Sequence, residues 1–231
     1  MSPRARIIDA AITVFRRQGF RRSSIEQAAE AAGLTRQALY HHFKSKEALF
    51  RAVIERLYEG AFAAETAAVA AAEKAGGSLA DVIVASVTAK LGQLAKSLDG
   101  SPHVEELFSE HLAQARDLYQ KYATAHAEQL AATIARICRK QGLSLNAGMT
   151  PREFARCIEM AVNGTKSAYP AMQPADAFLR DLDVMLRTFV AGAVSPAKPR
   201  ATKSKPAGKS AKQSAEKSEK KSASQTRRDR K

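Results

Sequence analysis

The stretch from Ser23 to Lys46 constrains this chain more than any other, because it predicts two short helices joined by a tight turn. Ser24 and Gln27 have the spacing of a capping box, in which each side chain accepts a hydrogen bond from the other residue's backbone amide. Gly33 stands where the first helix would end in a left-handed cap, a conformation that glycine adopts without strain. Thr35 is a suitable N-cap for the second helix.

The second helix of this pair, from about Arg36 to Phe43, has one apolar and one polar side. Leu39 and Phe43 lie four residues apart and are expected to face inward. The polar side consists of Arg36, Gln37, Tyr40, His41 and Lys44. A short helix with such a face fits the major groove of B-DNA. The alternative is a solvated helix face without a partner.

Individual side chains on this face suit particular contacts with DNA. We expect Arg36 to donate two hydrogen bonds to guanine and Gln37 to pair in the same way with adenine. Ala38 would place its methyl group against thymine, and Tyr40 is long enough to reach a phosphate oxygen. Lys46, which follows the cap residue of the next helix, adds a cation. The predicted DNA-contacting residues are Ser24, Thr35, Arg36, Gln37, Ala38, Tyr40, His41, Lys44 and Lys46.

Residues 4–50 resemble the DNA-binding domain of the TetR family, the tetracycline-repressor type of bacterial regulator. The matching segments are RIIDAAITVFRRQGF, the helix from Ile25 to Gly33, and GLTRQALYHHFKSKEALF, of which LYHHFKSKEAL is the most specific. The match covers about a fifth of the chain. The resemblance implies a three-helix DNA-reading domain, a larger helical domain for ligand binding and dimerisation, and usually repression.

The net charge of +14 is unevenly distributed. Residues 1–50 contain nine basic and four acidic residues, residues 51–195 contain fifteen and sixteen, and residues 196–231 contain thirteen and three. The middle of the chain is therefore nearly neutral, whereas both ends are basic, which indicates nucleic-acid affinity at both ends.

The C-terminal segment, residues 196–231, is rich in Lys, Ser, Ala and Pro and contains no aromatic residue and no Leu, Ile or Val. It cannot bury enough apolar surface to offset the entropy lost on ordering, so we expect a disordered basic tail. Such a tail can bind the DNA backbone without reading sequence. The alternative is a tail that only increases solubility.

Helical periodicity elsewhere predicts an all-α protein of about nine helices. The first helix is expected to run to about Gln18 and to stop at Gly19. We expect an alanine-rich helix at 61–75, and a long helical region at 104–141 that breaks near 115–117. No segment alternates apolar and polar residues with a period of two, so we expect no sheet.

The chain is predicted to have three parts. Residues 1–47 form the helix-turn-helix DNA-binding domain, residues 48–195 the helical ligand-binding and dimerisation domain, and residues 196–231 the tail. No apolar run is long enough to span a bilayer, and the N-terminus begins a polar amphipathic helix rather than a signal sequence. We expect a cytoplasmic, nucleoid-associated bacterial protein with no membrane partner.

An enzymatic function is not expected. The sequence contains no GxGxxG, GxxxxGK, HExxH or GxSxG motif. Cys138 and Cys157 have neither CxxC nor zinc-site spacing. His111 and His126 would lie about 22 Å apart on a continuous helix, which is too far for one metal ion. We therefore expect no cofactor and no metal site.

The helix that begins at Val104 gives the main indication of a small-molecule site. Its apolar side mixes apolar bodies with polar tips, and such a stripe belongs more often to the core than to a pocket. We nevertheless predict a pocket between the helices at 79–97, 104–122 and 151–168, lined by Phe108, His111, Tyr119 and Tyr122. Because the middle of the chain shows no cationic cluster, the expected effector is neutral or singly charged and largely apolar.

The last two helices, at 151–168 and 175–194, are predicted to pack against their two-fold mates in a homodimer. The candidate interface residues are Phe154, Ile158, Val162, Met185, Leu186 and Phe189. Part of this apolar surface could be internal, because each helix also needs a face for its own core.

These observations and the resemblance predict a homodimeric transcriptional regulator, most often a repressor, that binds a palindromic operator in double-stranded DNA and is released by a small effector. The alternative is an architectural nucleoid-type protein without an effector, in which the basic tail is the main DNA binder.

Overall fold

The computed structural model describes residues 2–197, apart from the side chain of Ala147. Within this range it contains nine α-helices and one two-stranded sheet. The helices are α1 Pro3–Arg22, α2 Ile25–Ala31, α3 Arg36–His42, α4 Lys46–Lys74, α5 Leu79–Leu98, α6 Val104–Gln114, α7 Arg116–Gln141, α8 Pro151–Ala168 and α9 Ala175–Ala193. The predicted all-α class is confirmed. All but two residues of the predicted tail, 196–231, lie outside the described residues.

The first helix extends one turn further than predicted. Ser2 caps its N-terminus, with its hydroxyl oxygen accepting from the amide of Ala5 at 3.2 Å. Gly19 interrupts the helical geometry with φ of 75°, but the helix resumes and reaches Arg22. This backbone conformation favours glycine, and an alanine there would also require the Glu106 carboxylate on α6 to move, since its Cβ would lie 2.5 Å from a carboxylate oxygen.

The fourth helix is longer than predicted, since the alanine-rich segment at 61–75 continues it without a break. Alanine has the highest helix propensity, and one glycine inside a helix costs only about 1 kcal/mol. Gly60 therefore does not end α4, which runs for 29 residues. The break predicted near 115–117 is confirmed, because Ala115 has non-helical angles between α6 and α7.

A small antiparallel sheet, which was not predicted, joins the ends of α7 and α9. Its strands are β1 Leu143–Leu145 and β2 Val194–Pro196, with Ser144 opposite Ser195. Gly142 ends α7 in the left-handed conformation and turns the chain into β1. Strands of three residues are too short for their alternation to be recognised in the sequence.

Two hydrophobic clusters hold the helices together, and α4 contributes to both. The N-terminal cluster joins α1, α2, α3 and the first half of α4, and Phe15, Phe20 and Phe50 form its aromatic centre with ring centroids 4.7–5.9 Å apart. It also takes in Leu107 of α6. The second cluster joins α5, α7, α8 and α9. The predicted domain boundary at 47/48 thus falls in the first turn of a helix that belongs to both clusters.

Candidate DNA-reading face and effector cavity

Local capping holds α2 and α3 in the predicted arrangement. The Ser24 hydroxyl accepts from the Gln27 amide at 3.3 Å, and the Gln27 side-chain oxygen accepts from the Ser24 amide at 2.8 Å. Gly33 has φ of 66°, and the Thr35 hydroxyl accepts from the Ala38 amide at 3.2 Å. The hydroxyl oxygens of Ser24 and Thr35 are therefore engaged as helix caps, and each hydroxyl hydrogen can still be donated.

The two sides of α3 differ as the sequence predicts. Leu39 is fully buried, and Phe43, which directly follows the helix, is buried as well. The opposite side carries the exposed residues Arg36, Gln37 and His41, with Lys44 beyond the helix and with Ala38 and Tyr40 partly buried at its margin. A polar helix face is thus open to solvent along the whole of α3.

Arg36 is positioned by two neighbours. Its Nε lies 2.7 Å from a carboxylate oxygen of Glu26 on α2, and its guanidinium lies 5.4 Å from the centroid of the Tyr40 ring. Both contacts are at the surface, where an ion pair contributes little. The Glu26 contact therefore holds the Arg36 side chain only weakly.

Lys46 has a structural role that the sequence did not indicate. Its ammonium group donates to the backbone carbonyls of Phe20, Arg21 and Ser23 at 2.9, 3.3 and 3.1 Å, and it lies 4.5 Å from the centroid of the Phe20 ring. The side chain therefore caps the C-terminus of α1, where unpaired carbonyls attract a cation. This placement differs from the prediction that Lys46 offers a free cation to DNA.

Arg16 and Arg21 in α1 contact the residue that follows α5 and two residues of α6. The Nε of Arg21 lies 2.9 Å from a carboxylate oxygen of Glu110, and its amide donates to Glu106 at 2.8 Å. Arg16 donates to the carbonyl of Asp99. The α6 helix therefore holds the end of α1 through both backbone and side-chain contacts.

An apolar cavity of about 290 Å³ is lined by residues of α1, α4, α5, α6, α7 and α8. Three of the four predicted pocket residues, Phe108, His111 and Tyr119, line it. Tyr122 does not, but its ring stacks on that of Tyr58 with centroids 4.5 Å apart. The wall also includes residues of α1 and α4, among them Phe15, Phe50, Val53, Ile54 and Leu57. The cavity therefore extends beyond the three helices that the sequence predicted.

A tyrosine–histidine pair at the edge of the apolar cavity was missed by sequence reasoning. The Tyr58 hydroxyl lies 3.1 Å from Nε2 of His111, across 53 residues of sequence. Burial, with a smaller effect of Lys166, lowers the pKa of His111 to about 4, and burial raises the pKa of Tyr58. Both side chains are uncharged near neutral pH and form a polar spot in an apolar wall.

A smaller cavity of about 110 Å³ adjoins the apolar one and shares Tyr58, Leu94, Tyr119 and Lys166 with it. Because its lining combines apolar residues with several charged and titratable side chains, it is named the polar cavity. Its own lining adds the polar side chains of Lys90, His126, Glu159 and Asn163. The sequence did not predict these residues, because they come from three helices that are distant along the chain.

Comparisons with known proteins agree with the DNA-reading face. The family described as bacterial regulatory proteins, tetR family, matches residues 7–53. The solved structure of SmeT, the repressor of the multidrug efflux pump SmeDEF of Stenotrophomonas maltophilia, superposes with a TM-score of 0.58 at 21% identity, covering 89% of this chain and 97% of SmeT. The match to the tetR family thus covers the segment that carries α2 and α3.

Several curated relatives match this chain only over about 50–60 residues. The regulator TtgR of Pseudomonas putida is 43% identical over 56 residues, which are 24% of this chain and 27% of TtgR. The chain thus matches only about a quarter of the length of the first such relatives. The repressor Rv1474c of Mycobacterium tuberculosis is 27% identical over 167 residues, 70% of this chain and 79% of Rv1474c.

The predicted dimer-interface residues are mostly internal. Phe154, Ile158 and Leu186 are fully buried in the core of the protomer, and Val162 is 8% exposed. Met185 is partly buried, and only Phe189 is exposed, at 41%. The strongest apolar stripe of each helix serves its own core, so four of the six predicted residues are not at the surface.

The outward sides of α8 and α9 carry other apolar residues. Met160 on α8 is 53% exposed and Val184 on α9 is 61% exposed. Together with Phe189 they form the outer apolar surface of these two helices.

Among residues 2–197, no helix is long and apolar enough to cross a membrane.

Proposed function

We propose that this protein is a sequence-specific transcriptional repressor that binds a palindromic operator as a homodimer and is released by a small ligand in the apolar cavity. The observation that carries the proposal is the exposed polar face of α3, with Arg36 and Gln37 free of core packing on a helix that is capped at Thr35. The match to the tetR family over the same residues supports it.

The DNA-reading role follows from the chemistry of this face. Arg36 and Gln37 occupy the first turn of α3, the part of a recognition helix that reaches base edges. Lys44 and His41 extend the face toward the backbone, where they contribute affinity rather than sequence preference.

Dimerisation is proposed through the outer apolar surface of α8 and α9, which consists of Met160, Val184 and Phe189. Two recognition helices must lie about one DNA turn apart, roughly 34–36 Å, to read both half-sites of a palindrome. A two-fold contact between these helices would fix that separation.

Ligand control is proposed through α6, which has contacts on two sides. Phe108 and His111 line the apolar cavity, whereas Glu106 and Glu110 hold the end of α1. If α6 can adopt two positions, one that favours operator binding and one that does not, a ligand that binds the second position better would weaken operator binding. The change in operator affinity would equal the difference in the ligand's binding energy between the two positions. This arrangement has no catalytic role for the cavity residues, so we propose no enzymatic activity.

A footprinting experiment tests this function. The protein should protect a discrete palindromic site, and a variant that ends at residue 197 should protect the same site. Protection that spreads evenly along the DNA and is lost on truncation would instead favour the architectural alternative, in which the tail is the main binder.

A further inference from the structure

The polar cavity contains two lysine side chains that the described residues balance only in part. Lys90 extends from α5 and Lys166 from α8, and Lys166 lines the apolar cavity as well. Within residues 2–197, neither ammonium group makes a hydrogen bond or a close ion pair with a side chain. Both side chains are partly buried, and the Lys90 ammonium lies 5.7 Å from the centroid of the Phe62 ring. A partly buried cation without a carboxylate partner is unfavourable.

The pKa values of the two lysines also indicate too little negative charge around them. Burial lowers the pKa of Lys90 to about 7, and Glu65 and Glu159 offset only part of this effect, while Lys166 adds to it. Burial also lowers the pKa of Lys166, again with a partial offset from Glu159. The charged form of each lysine therefore lacks a sufficient partner in the ligand-free protein.

The buried carboxylate of Glu65, which raises the pKa of Lys90, already has other hydrogen-bond partners. Glu65 accepts from the Ser86 hydroxyl at 2.6 Å and lies 3.2 Å from Nδ1 of His126. Burial raises its pKa, but the two hydrogen bonds and Lys90 outweigh this effect and hold the pKa below the ordinary value. Glu159 is then the one polar-cavity carboxylate opposite two lysines. The polar cavity thus has room for one further negative charge.

Lys166 lies where the polar cavity meets the apolar cavity. Lys166, Tyr58, Leu94 and Tyr119 line both cavities, so the two spaces share a wall. A molecule with its apolar part in the larger cavity can therefore place a polar end beside Lys166 and Lys90.

We propose that the ligand of this protein is an amphipathic monocarboxylate whose apolar body fills the apolar cavity and whose carboxylate lies between Lys90 and Lys166. The inference rests on the proposed function only in giving this ligand the role of effector. A monoanion matches the single unbalanced charge, whereas a phosphate dianion would leave an excess negative charge beside Glu159.

Calorimetric titration of the full-length protein, without DNA, tests the binding chemistry. The probes are octanoate, octanol and octylamine, which share one chain length and differ in charge. We expect octanoate to bind at least about tenfold more tightly than octanol, because hydrogen bonds to charged groups are stronger than neutral ones. Octylamine should bind most weakly, because its cation would approach both lysines.

Matched variants locate the contact. Lys90→Met and Lys166→Met should each remove most of the preference for octanoate while leaving octanol binding unchanged. Lys96→Met, on the exposed side of the same α5 helix as Lys90, should behave like the natural protein. Since methionine removes a poorly solvated cation, thermal unfolding of the first two variants should not occur at a lower temperature.

Proton uptake gives a second, independent readout. A carboxylate beside Lys90 favours its charged form, so octanoate binding should take up protons above about pH 7, and its affinity should fall toward about pH 9. The charged or titratable groups facing Lys90 are Glu65 on α4, His126 on α7, and Glu159 and Lys166 on α8. Titrations in buffers of different ionisation enthalpy measure the uptake, which Lys90→Met should reduce.

Three results would overturn the inference: no octanoate binding, equal affinity for octanoate and octanol, or an unchanged preference in both lysine variants. The proposed function fails separately. If octanoate binds in a lysine-dependent manner but leaves operator binding unchanged, the ligand chemistry stands and the effector role is wrong. If the protein binds its operator and no carboxylate, the DNA-binding role stands and this inference is wrong.

Discussion

Replacing Lys46 by methionine should destabilise the protein rather than remove a DNA contact. The ammonium group donates to three carbonyls of the α1 terminus at 2.9–3.3 Å and lies above the Phe20 ring. Hydrogen bonds to a charged group contribute about 1.5–3 kcal/mol, and a cation above an aromatic ring adds about 0.5–1 kcal/mol. Because one partly exposed ammonium makes all these contacts, we expect Lys46→Met to lower the free energy of unfolding by about 2 kcal/mol.

The matched control is Lys44→Met, two residues earlier. Lys44 is exposed, and its ammonium group has one long contact, 3.4 Å, with the carbonyl of Tyr40. Its replacement should change the free energy of unfolding by less than about 0.5 kcal/mol but should weaken binding to DNA of any sequence. Lys46→Met is therefore expected to lower stability, whereas Lys44→Met is expected to lower DNA affinity.

Thermal unfolding followed by circular dichroism, together with a DNA-binding titration at several salt concentrations, separates the two effects. For a protein of this size, 2 kcal/mol corresponds to a fall in Tm of about 4–8 °C. If Lys46→Met kept the natural Tm and reduced the salt dependence of DNA binding as much as Lys44→Met, the ammonium group would contact phosphate and the capping role would be refuted.

Three further predictions concern the reading face, the cavity and the dimer. Arg36→Ala should cost about 1–3 kcal/mol at the operator and relax the preference at one base position in each half-site, as measured with operator variants; full preference would exclude Arg36 as a reading residue. His111 has a pKa of about 4 when folded, so the unfolded chain binds its proton first as pH falls. Stability should therefore decrease between about pH 6.5 and pH 4 by up to about 1.4 kcal/mol per pH unit, and His111→Gln should flatten this slope in denaturant titrations. Arg at Met160 or Val184 should give folded monomers in light scattering, whereas Leu186→Arg should misfold because that side chain is fully buried; a dimer that survives both surface changes would place the interface elsewhere.

Features that depend on neighbouring residues could be predicted from the sequence. The caps at Ser24 and Thr35 and the inward position of Leu39 follow from spacings of three or four residues, and the structure shows all of them. The break at Ala115 and the helix end at Gly142 are local in the same sense.

Features that join distant residues could not be predicted in this way. The carbonyls held by Lys46 lie 23 to 26 residues earlier, and nothing in the local pattern indicates them. Lys90 and Lys166 lie on separate helices, and the nearly neutral composition of residues 51–195 conceals two cations that the fold brings into one cavity.

The dimer-interface residues could not be predicted for a different reason. An apolar stripe identifies the side of a helix that is buried, but not whether its own protomer or a second one covers it. In α8 and α9 the richer stripe faces the protomer core, and the sparser outward residues, Met160 and Val184, remain exposed.

The unbroken length of α4 has a mechanical consequence. Its 29 residues span about 43 Å at 1.5 Å per residue. The helix begins at Lys46, directly after the segment that ends α3, and passes the apolar cavity on its way to Lys74. A stiff rod of this length that tilts by about 5° about its far end moves its near end by about 4 Å. Since successive base pairs are stacked about 3.4 Å apart, a tilt this small at the cavity is sufficient to move α3 by one base step.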